Sequence, residues 1–148
     1  MRRLGVDLGA RYIGLAWNDD PEVPARPMDT LDLRAPGVTA VDALAKIAAR
    51  EGAEELVVGL ALQMDGRESA SSRGARKVAD ALGRRTGLPV VLWDERLTTA
   101  QAQRARVARG TRGRGEGAGR IDAEAAAILL QAYVDAQRGG SGWDPENG

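Results

Sequence analysis

The sequence predicts one α/β domain, a sheet part antiparallel and part parallel with helices packed over it. Three observations carry this expectation. Residues 3–17 hold two short alternating apolar runs around a glycine turn, the pattern of an antiparallel hairpin. Two later runs, ELVVGL at 55–60 and VVLW at 90–93, are continuously apolar, as strands buried on both faces are. Stretches of helical periodicity separate these runs, and helical crossovers make the strands they join parallel. A length of 148 residues suits one such domain, and a 43% hydrophobic content is enough for a packed core.

Taken in order, Leu4, Val6 and Leu8 alternate with Gly5 and Asp7 in a first strand, residues 3–8. Gly9-Ala10-Arg11 turns the chain into a second strand at 13–17, and Asp19-Asp20-Pro21 ends it. Residues 25–33 read as a third, edge-type strand, since an edge tolerates Pro24 and Pro27 near its start. From 39 to 50, Val41, Leu44, Ala45, Ile47 and Ala48 repeat at helical spacing, and Gly52 closes that helix. The strand at 55–60 leads to a turn at Met64-Asp65-Gly66. A second helix is expected over 69–85, with Ala75, Val78, Ala79 and Leu82 inward. Gly87-Leu88-Pro89 precedes the strand at 90–93. Thr98-x-x-Gln101 has the form of a capping box opening a helix to about residue 108. The stretch 110–119 holds five glycines and reads as irregular. A last helix is expected over 122–137. The reading is a single domain at 1–138 and a polar, glycine-rich disordered tail at 139–148.

Composition narrows the chemistry. There is no Cys and no His, which removes disulfides, thiolate nucleophiles, the usual general base and the commonest metal ligand. Acid–base or metal chemistry must therefore run on carboxylates, Lys, Tyr or bound water. No apolar stretch approaches the roughly 20 residues of a membrane span, and the N-terminus does not read as a signal peptide, so a cytoplasmic location is expected. Net charge is zero, yet the basic residues, all Arg except Lys46 and Lys77, cluster at 67–85 and 104–120. A local excess of this kind can follow a phosphate backbone. Arg73, Arg76, Lys77, Arg96, Arg109, Arg112, Arg114 and Arg120 are the candidate nucleic-acid contacts. A solvated helix face and a plain linker are the alternatives for the two clusters.

Three carboxylates stand out. Asp is uncommon inside strands, so Asp7 in LGVDLG either begins a turn or serves a ligand, with Gly5 and Gly9 allowing close approach. Glu95 follows the strand at 90–93, and ligands of parallel sheets bind at the carboxyl ends of strands. Alternation puts it on the face of Val91 and Trp93, with Asp94 on the other; a solvated acid paired with Arg96 is the plain alternative. Asp122 heads the stripe of Ala126, Leu129 and Tyr133, either as an N-cap or as a ligand. Three separate segments thus each bring one carboxylate to where strand ends meet a helix. Such clusters bind Mg²⁺ or Mn²⁺, hard ions that take oxygen ligands, and paired ions of this type hydrolyse phosphodiesters without histidine.

GVDLGARYIGLAW, VVGLALQMDGRES, LPVVLWDERLTTAQA and IDAEAAAILLQAYVD, in order and spacing, resemble the YqgF (RuvX-type) family over about residues 3–137. Its members are described as Holliday junction resolvase-like proteins and as pre-16S rRNA processing nucleases. The resemblance implies an RNase H-like fold with a mixed five-stranded sheet flanked by helices. It implies acidic site residues at Asp7, Glu95 and Asp122, a cytoplasmic enzyme, and a role in trimming the 5′ end of precursor 16S rRNA. The chain departs from the family pattern at Ala61, where proline is usual, and in a basic segment diluted by glycine before the last motif. Junction resolvases of this fold commonly carry a fourth acid one turn past the last, and Ala125 stands there. The expected function is therefore a Mg²⁺- or Mn²⁺-dependent nuclease acting on structured or precursor RNA.

A DNA junction resolvase is the nearest alternative, but needs two active sites and hence a stable dimer; the sequence leaves monomer or homodimer open. ATP-binding proteins of the actin and sugar-kinase type share the strand–DxG–hairpin opening, yet need two such domains. A binding module with purely structural acids is the third reading. Metal-dependent cleavage separates it from the nucleases.

Overall fold

The computed structural model describes residues 1–9, 11–34, 39–63, 65–98 and 118–138, with the backbone alone over 118–122. The expected alternation forms β1 (Arg3–Leu8) and β2 (Tyr12–Asn18), an antiparallel pair with Gly5 opposite Ala16 and Asp7 opposite Gly14. Gly9 donates its N–H to the Tyr12 carbonyl at 3.0 Å and closes their turn. The edge strand expected over 25–33 is split into β3 (Arg26–Pro27) and β4 (Leu31–Asp32), both antiparallel to β2. Pairing with β2 runs as far as the 2.7 Å bond from Met28 N–H to the Leu15 carbonyl and resumes with Leu31 opposite Ile13, so Asp29 and Thr30 stand against Gly14 alone, a bulge that divides the edge strand.

α1 (Ala40–Glu51) starts after Thr39 and ends on Gly52, whose φ of +68° suits a residue without Cβ. β5 (Glu55–Leu60) then runs parallel to β1, with Val6 opposite Val58. α2 (Ala70–Thr86) opens with a reciprocal cap. Ser69 Oγ accepts from Ser72 N–H at 3.0 Å, and Ser72 Oγ accepts from Ser69 N–H at 2.7 Å. Parallel to β5 on its other side lies β6 (Val90–Asp94), continued by a single 3₁₀ turn, Glu95–Leu97. The helix expected from Thr98, the irregular stretch up to 117 and the tail from 139 lie outside the described residues.

The final helix, α3 (Ala118–Gln137), begins earlier than the sequence suggested. It takes in Gly119, expected in the irregular stretch, and leaves Asp122 a turn inside the helix rather than at its cap. A run rich in Ala and Leu extends helix upstream, and one Gly costs only about 1 kcal/mol relative to Ala.

The strands lie in the order β3-β2-β1-β5-β6, with β4 also on β2, so β1 and β5 are central. Period-two alternation sorts their side chains onto two faces. Leu4, Val6, Leu56, Val58 and Leu60 pack with Leu44, Ile47 and Ala48 of α1 and with Ala75, Ala79 and Leu82 of α2. The opposite face, with Ala16, Val57 and Trp93, is covered by α3 through Ala126, Leu129, Leu130 and Tyr133. Gly5 lets α3 come close: a Cβ there would lie 2.9 Å from Leu130 Cβ. Among the described residues no helix is long and apolar enough to cross a membrane.

Candidate functional site

Asp7 lies inside the β1 ladder, paired in register with Gly14, so it does not begin a turn. Leu4 and Val6 face α1 and α2, and alternation sends Asp7, like Gly5, to the α3 face. The cross-strand positions beside it are bare. Gly14 is its partner on β2, and on β5 the residue after Val58, the partner of Val6, is Gly59. A carboxylate near the end of a central strand is therefore walled on both sides by residues without side chains.

Glu95 reaches the same place from β6. The strand ends at Asp94, and Glu95 is the first residue of the 3₁₀ turn. Its side chain nevertheless comes to the α3 face, as alternation anticipated, because the carboxylate lies directly over Gly59: a Cβ built on Gly59 would stand 2.7 Å from Glu95 Oε1. Glu95 and Asp7 share a hydrogen bond. Burial pushes the Glu95 carboxyl above its ordinary range, and the charge of Asp94 adds to that, while the bond to Asp7 pulls the other way.

Two anchors hold the turn. Asp94 accepts from Arg96 N–H at 3.0 Å and pairs with the Arg96 guanidinium at 2.7 Å, which holds Asp94 below the usual carboxylate range. Arg96 is thus engaged by Asp94. On the other side of the turn Trp93, only 2% exposed, donates its indole N–H to Thr98 Oγ1 at 3.0 Å. As supports of the site, Gly14 and Gly59 had gone unmarked, Trp93 had been placed only on a strand face and Thr98 only in a capping box. A glycine inside an otherwise apolar strand was the available signal, since it marks close approach by another group.

α3 runs antiparallel to β1 and β5. Tyr133 donates to Glu55 Oε2 at 3.1 Å where β5 begins, while Leu130 and Ala126 lie over Gly5 and Leu129 over Gly59. The early turns of α3, with Asp122, therefore extend toward the strand ends that hold Asp7 and Glu95; the Asp122 side chain lies outside the described residues. Among the described residues no three acidic side chains group closely enough to hold a metal ion.

Of the candidate nucleic-acid contacts, Arg73, Arg76 and Lys77 are exposed on α2, across the sheet from Asp7 and Glu95. Arg76 pairs with Glu68, whose carboxyl is held low by hydrogen bonds from Ser72 and Arg76. The α2 start is tied to the end of β5 by Ser69 Oγ donating to the Ala61 carbonyl at 2.9 Å. Arg96 is exposed beside the 65–67 turn, with Gly66 at its guanidinium. Arg109, Arg112 and Arg114 lie outside the described residues, as does the side chain of Arg120.

Residues 1–136 match the family described as RuvX: Holliday junction resolvase. The chain belongs to this family. A relative from Anaeromyxobacter sp. (strain Fw109-5) named "Putative pre-16S rRNA nuclease" is 48% identical over 138 residues, 91% of this chain and 97% of that protein. One of the same name from Myxococcus xanthus (strain DK1622) is 38% identical over 143 residues, 93% of this chain and 90% of that one. Among solved structures, "T. thermophilus RuvC in complex with Holliday junction substrate" superposes with a TM-score of 0.60 at 19% identity, over 94% of this chain and 96% of that chain. This likeness shows the RNase H-like fold, reached here with six strand segments because the edge strand is split.

Proposed function

We propose that this member of the RuvX family is a cytoplasmic nuclease that hydrolyses phosphodiester bonds in precursor 16S rRNA during 5′-end processing. In this reading, residues 1–138 form the nuclease domain, and Asp7, Glu95 and Asp122 are its catalytic and metal-binding residues. The observation that carries the proposal is the meeting of Asp7, near the end of β1, with Glu95, just past the end of β6, across Gly59 of the intervening β5, hydrogen-bonded to each other in a chain without His or Cys. Two ionised carboxylates this close repel one another, and a proton or a cation between them relieves the repulsion.

That donor set fits a hard divalent ion, Mg²⁺ or Mn²⁺, which takes oxygen ligands and favours no thiolate or imidazole. Asp7 and Glu95 would hold it, with Asp122 as the third ligand. When bound, such an ion supplies an activated water and neutralises charge on the leaving oxygen. The chain's own contribution is placement. β1 fixes Asp7 in a hydrogen-bonded ladder, the Trp93–Thr98 bond fixes the turn bearing Glu95, and the bare Gly14 and Gly59 let both carboxylates lie low on the sheet. Arg73, Arg76, Lys77, Arg96, Arg109, Arg112, Arg114 and Arg120 would track the RNA backbone. The names of the two bacterial relatives support the RNA substrate.

The test is cleavage of precursor 16S rRNA by purified protein with and without Mg²⁺ or Mn²⁺. Activity should vanish with a chelator and in Asp7→Asn. Full activity in exhaustively metal-free protein, or in Asp7→Asn, would overturn the reading. The family's own description favours one second reading, cleavage of branched DNA junctions. A four-way DNA junction cut faster than precursor RNA by the same preparation would establish it instead.

A further inference from the structure

We infer that Gly59 is a positioning residue for the reaction: its missing side chain is the seat on which the Glu95 carboxylate rests beside Asp7. The inference rests on the proposed role of Glu95 and extends it to a residue that never touches the substrate.

Gly59 lies in a strand where every other residue is larger and all but Glu55 are apolar, ELVVGL, and it stands opposite Trp93 in the β5–β6 ladder. Nothing about its place in a flat ladder asks for glycine. What asks for it is the space above. A Cβ would lie 2.7 Å from Glu95 Oε1, 3.3 Å from Glu95 Cδ and 3.1 Å from Leu129 Cδ2. All three are side-chain atoms, and the most crowded belongs to the tip of a flexible chain. A methyl group can therefore be admitted at little cost to the fold, by swinging the carboxylate away. The backbone of β5 and its hydrogen bonds need not move.

Gly5 shows the contrast on the same face. A Cβ there meets Leu130 Cβ at 2.9 Å and the Ala126 carbonyl oxygen at 3.3 Å, which are near-backbone and backbone atoms of α3. That glycine serves helix packing. Gly59 serves a functional side chain, because the group it admits is an acid at a strand end rather than a core residue.

The decisive experiment is Gly59→Ala, alone and combined with Glu95→Gln. The metal-free variant should melt within a few degrees of the parent. Its kcat should fall on the order of 10²-fold, the usual effect of moving a reacting group by about 1 Å, with KM within about twofold. The rise in Tm produced by Mn²⁺ should shrink, since a ligand stabilises in proportion to its affinity for the folded state. The double variant should cut no more slowly than Glu95→Gln alone, because the displaced carboxylate has nothing left to lose. Were Gly59→Ala to fold poorly, the same measurements apply with Leu129→Val added, which withdraws the other crowded atom, against Leu129→Val as parent. A Gly59→Ala protein that cuts at the parental rate, responds fully to Mn²⁺, or multiplies its loss with that of Glu95→Gln overturns the inference. Parental cleavage by Glu95→Gln itself would instead overturn the site on which it rests.

Discussion

Glu95 is a carboxyl that the fold half-buries, and this makes its charge a liability until something positive meets it. Its folded value lies above the ordinary 4.5, with burial as the first cause. The folded chain thus holds a proton that the unfolded chain releases, and stability linked to Glu95 is whole below that ordinary value. It is lost as the pH rises through the raised folded value. Metal-free protein should therefore melt lower near neutrality than at mildly acidic pH, and Glu95→Gln should flatten that part of the profile, as scanning calorimetry across the range would show. A profile as steep in the variant as in the parent would mean that other groups set it. Asp7→Asn belongs with this test. It should leave metal-free stability equal or higher while reducing the stabilisation by Mn²⁺. A purely structural acid, such as a turn former or helix cap, would instead cost about 0.5–2 kcal/mol when removed. These residues were legible one by one in the sequence, as acids at strand ends. That Asp7 and Glu95 touch was not, because it depends on Gly59 and on a 3₁₀ turn that no periodicity announces.

At the scale of elements, the sheet and its helices follow from local pattern, and the departures have local causes. Alternation gives β1 and β2, apolar runs give β5 and β6, and the glycines at 52 and 87, both with positive φ, end α1 and α2. The edge strand broke at the bulge where Asp29 and Thr30 stand against Gly14 alone. The start of α3 was hidden because glycines at 113–119 mask the helix former Ala118, and only tertiary packing decides how far a helix reaches back. That packing is tight at one spot. Gly5→Ala would drive a methyl group into Leu130 Cβ and the Ala126 carbonyl, and overpacking of this kind costs about 1–3 kcal/mol. Urea unfolding should show the lowered midpoint with an unchanged slope; an unchanged midpoint would mean that α3 rides on the sheet more loosely than its contacts indicate. Such contacts join residues more than a hundred positions apart, and no short window of sequence contains them.

Across the whole molecule, one polar chain crosses the α3 face. Trp93 meets Tyr133 edge-on with ring centroids 5.7 Å apart, Tyr133 donates to Glu55, and Glu55 pairs with Arg3 at 2.9 Å. Burial and the nearby Glu55 carboxylate push the Tyr133 hydroxyl up to about 12 from an ordinary 10. The folded protein keeps this proton where the unfolded chain loses it. The linked stability is whole below pH 10 and is lost as the pH climbs toward about 12. Tyr133→Phe should lose about 0.5–1.5 kcal/mol at neutral pH, for one hydrogen bond, and should then decline less than the parent between those limits; parallel alkaline profiles would exclude Tyr133 as the group responsible. The family was legible throughout because its motifs are the site-bearing segments themselves. The place of α3 in the chain also matters for how the protein is made. It is the last described element to leave the ribosome, and among the described elements it is the one that covers the face holding Asp7 and Glu95. At about 5–20 residues per second, a few seconds separate the synthesis of β6 from that of α3. Until α3 docks, the carboxyls of Asp7 and Glu95 stand on an open sheet, without the helix that carries Asp122.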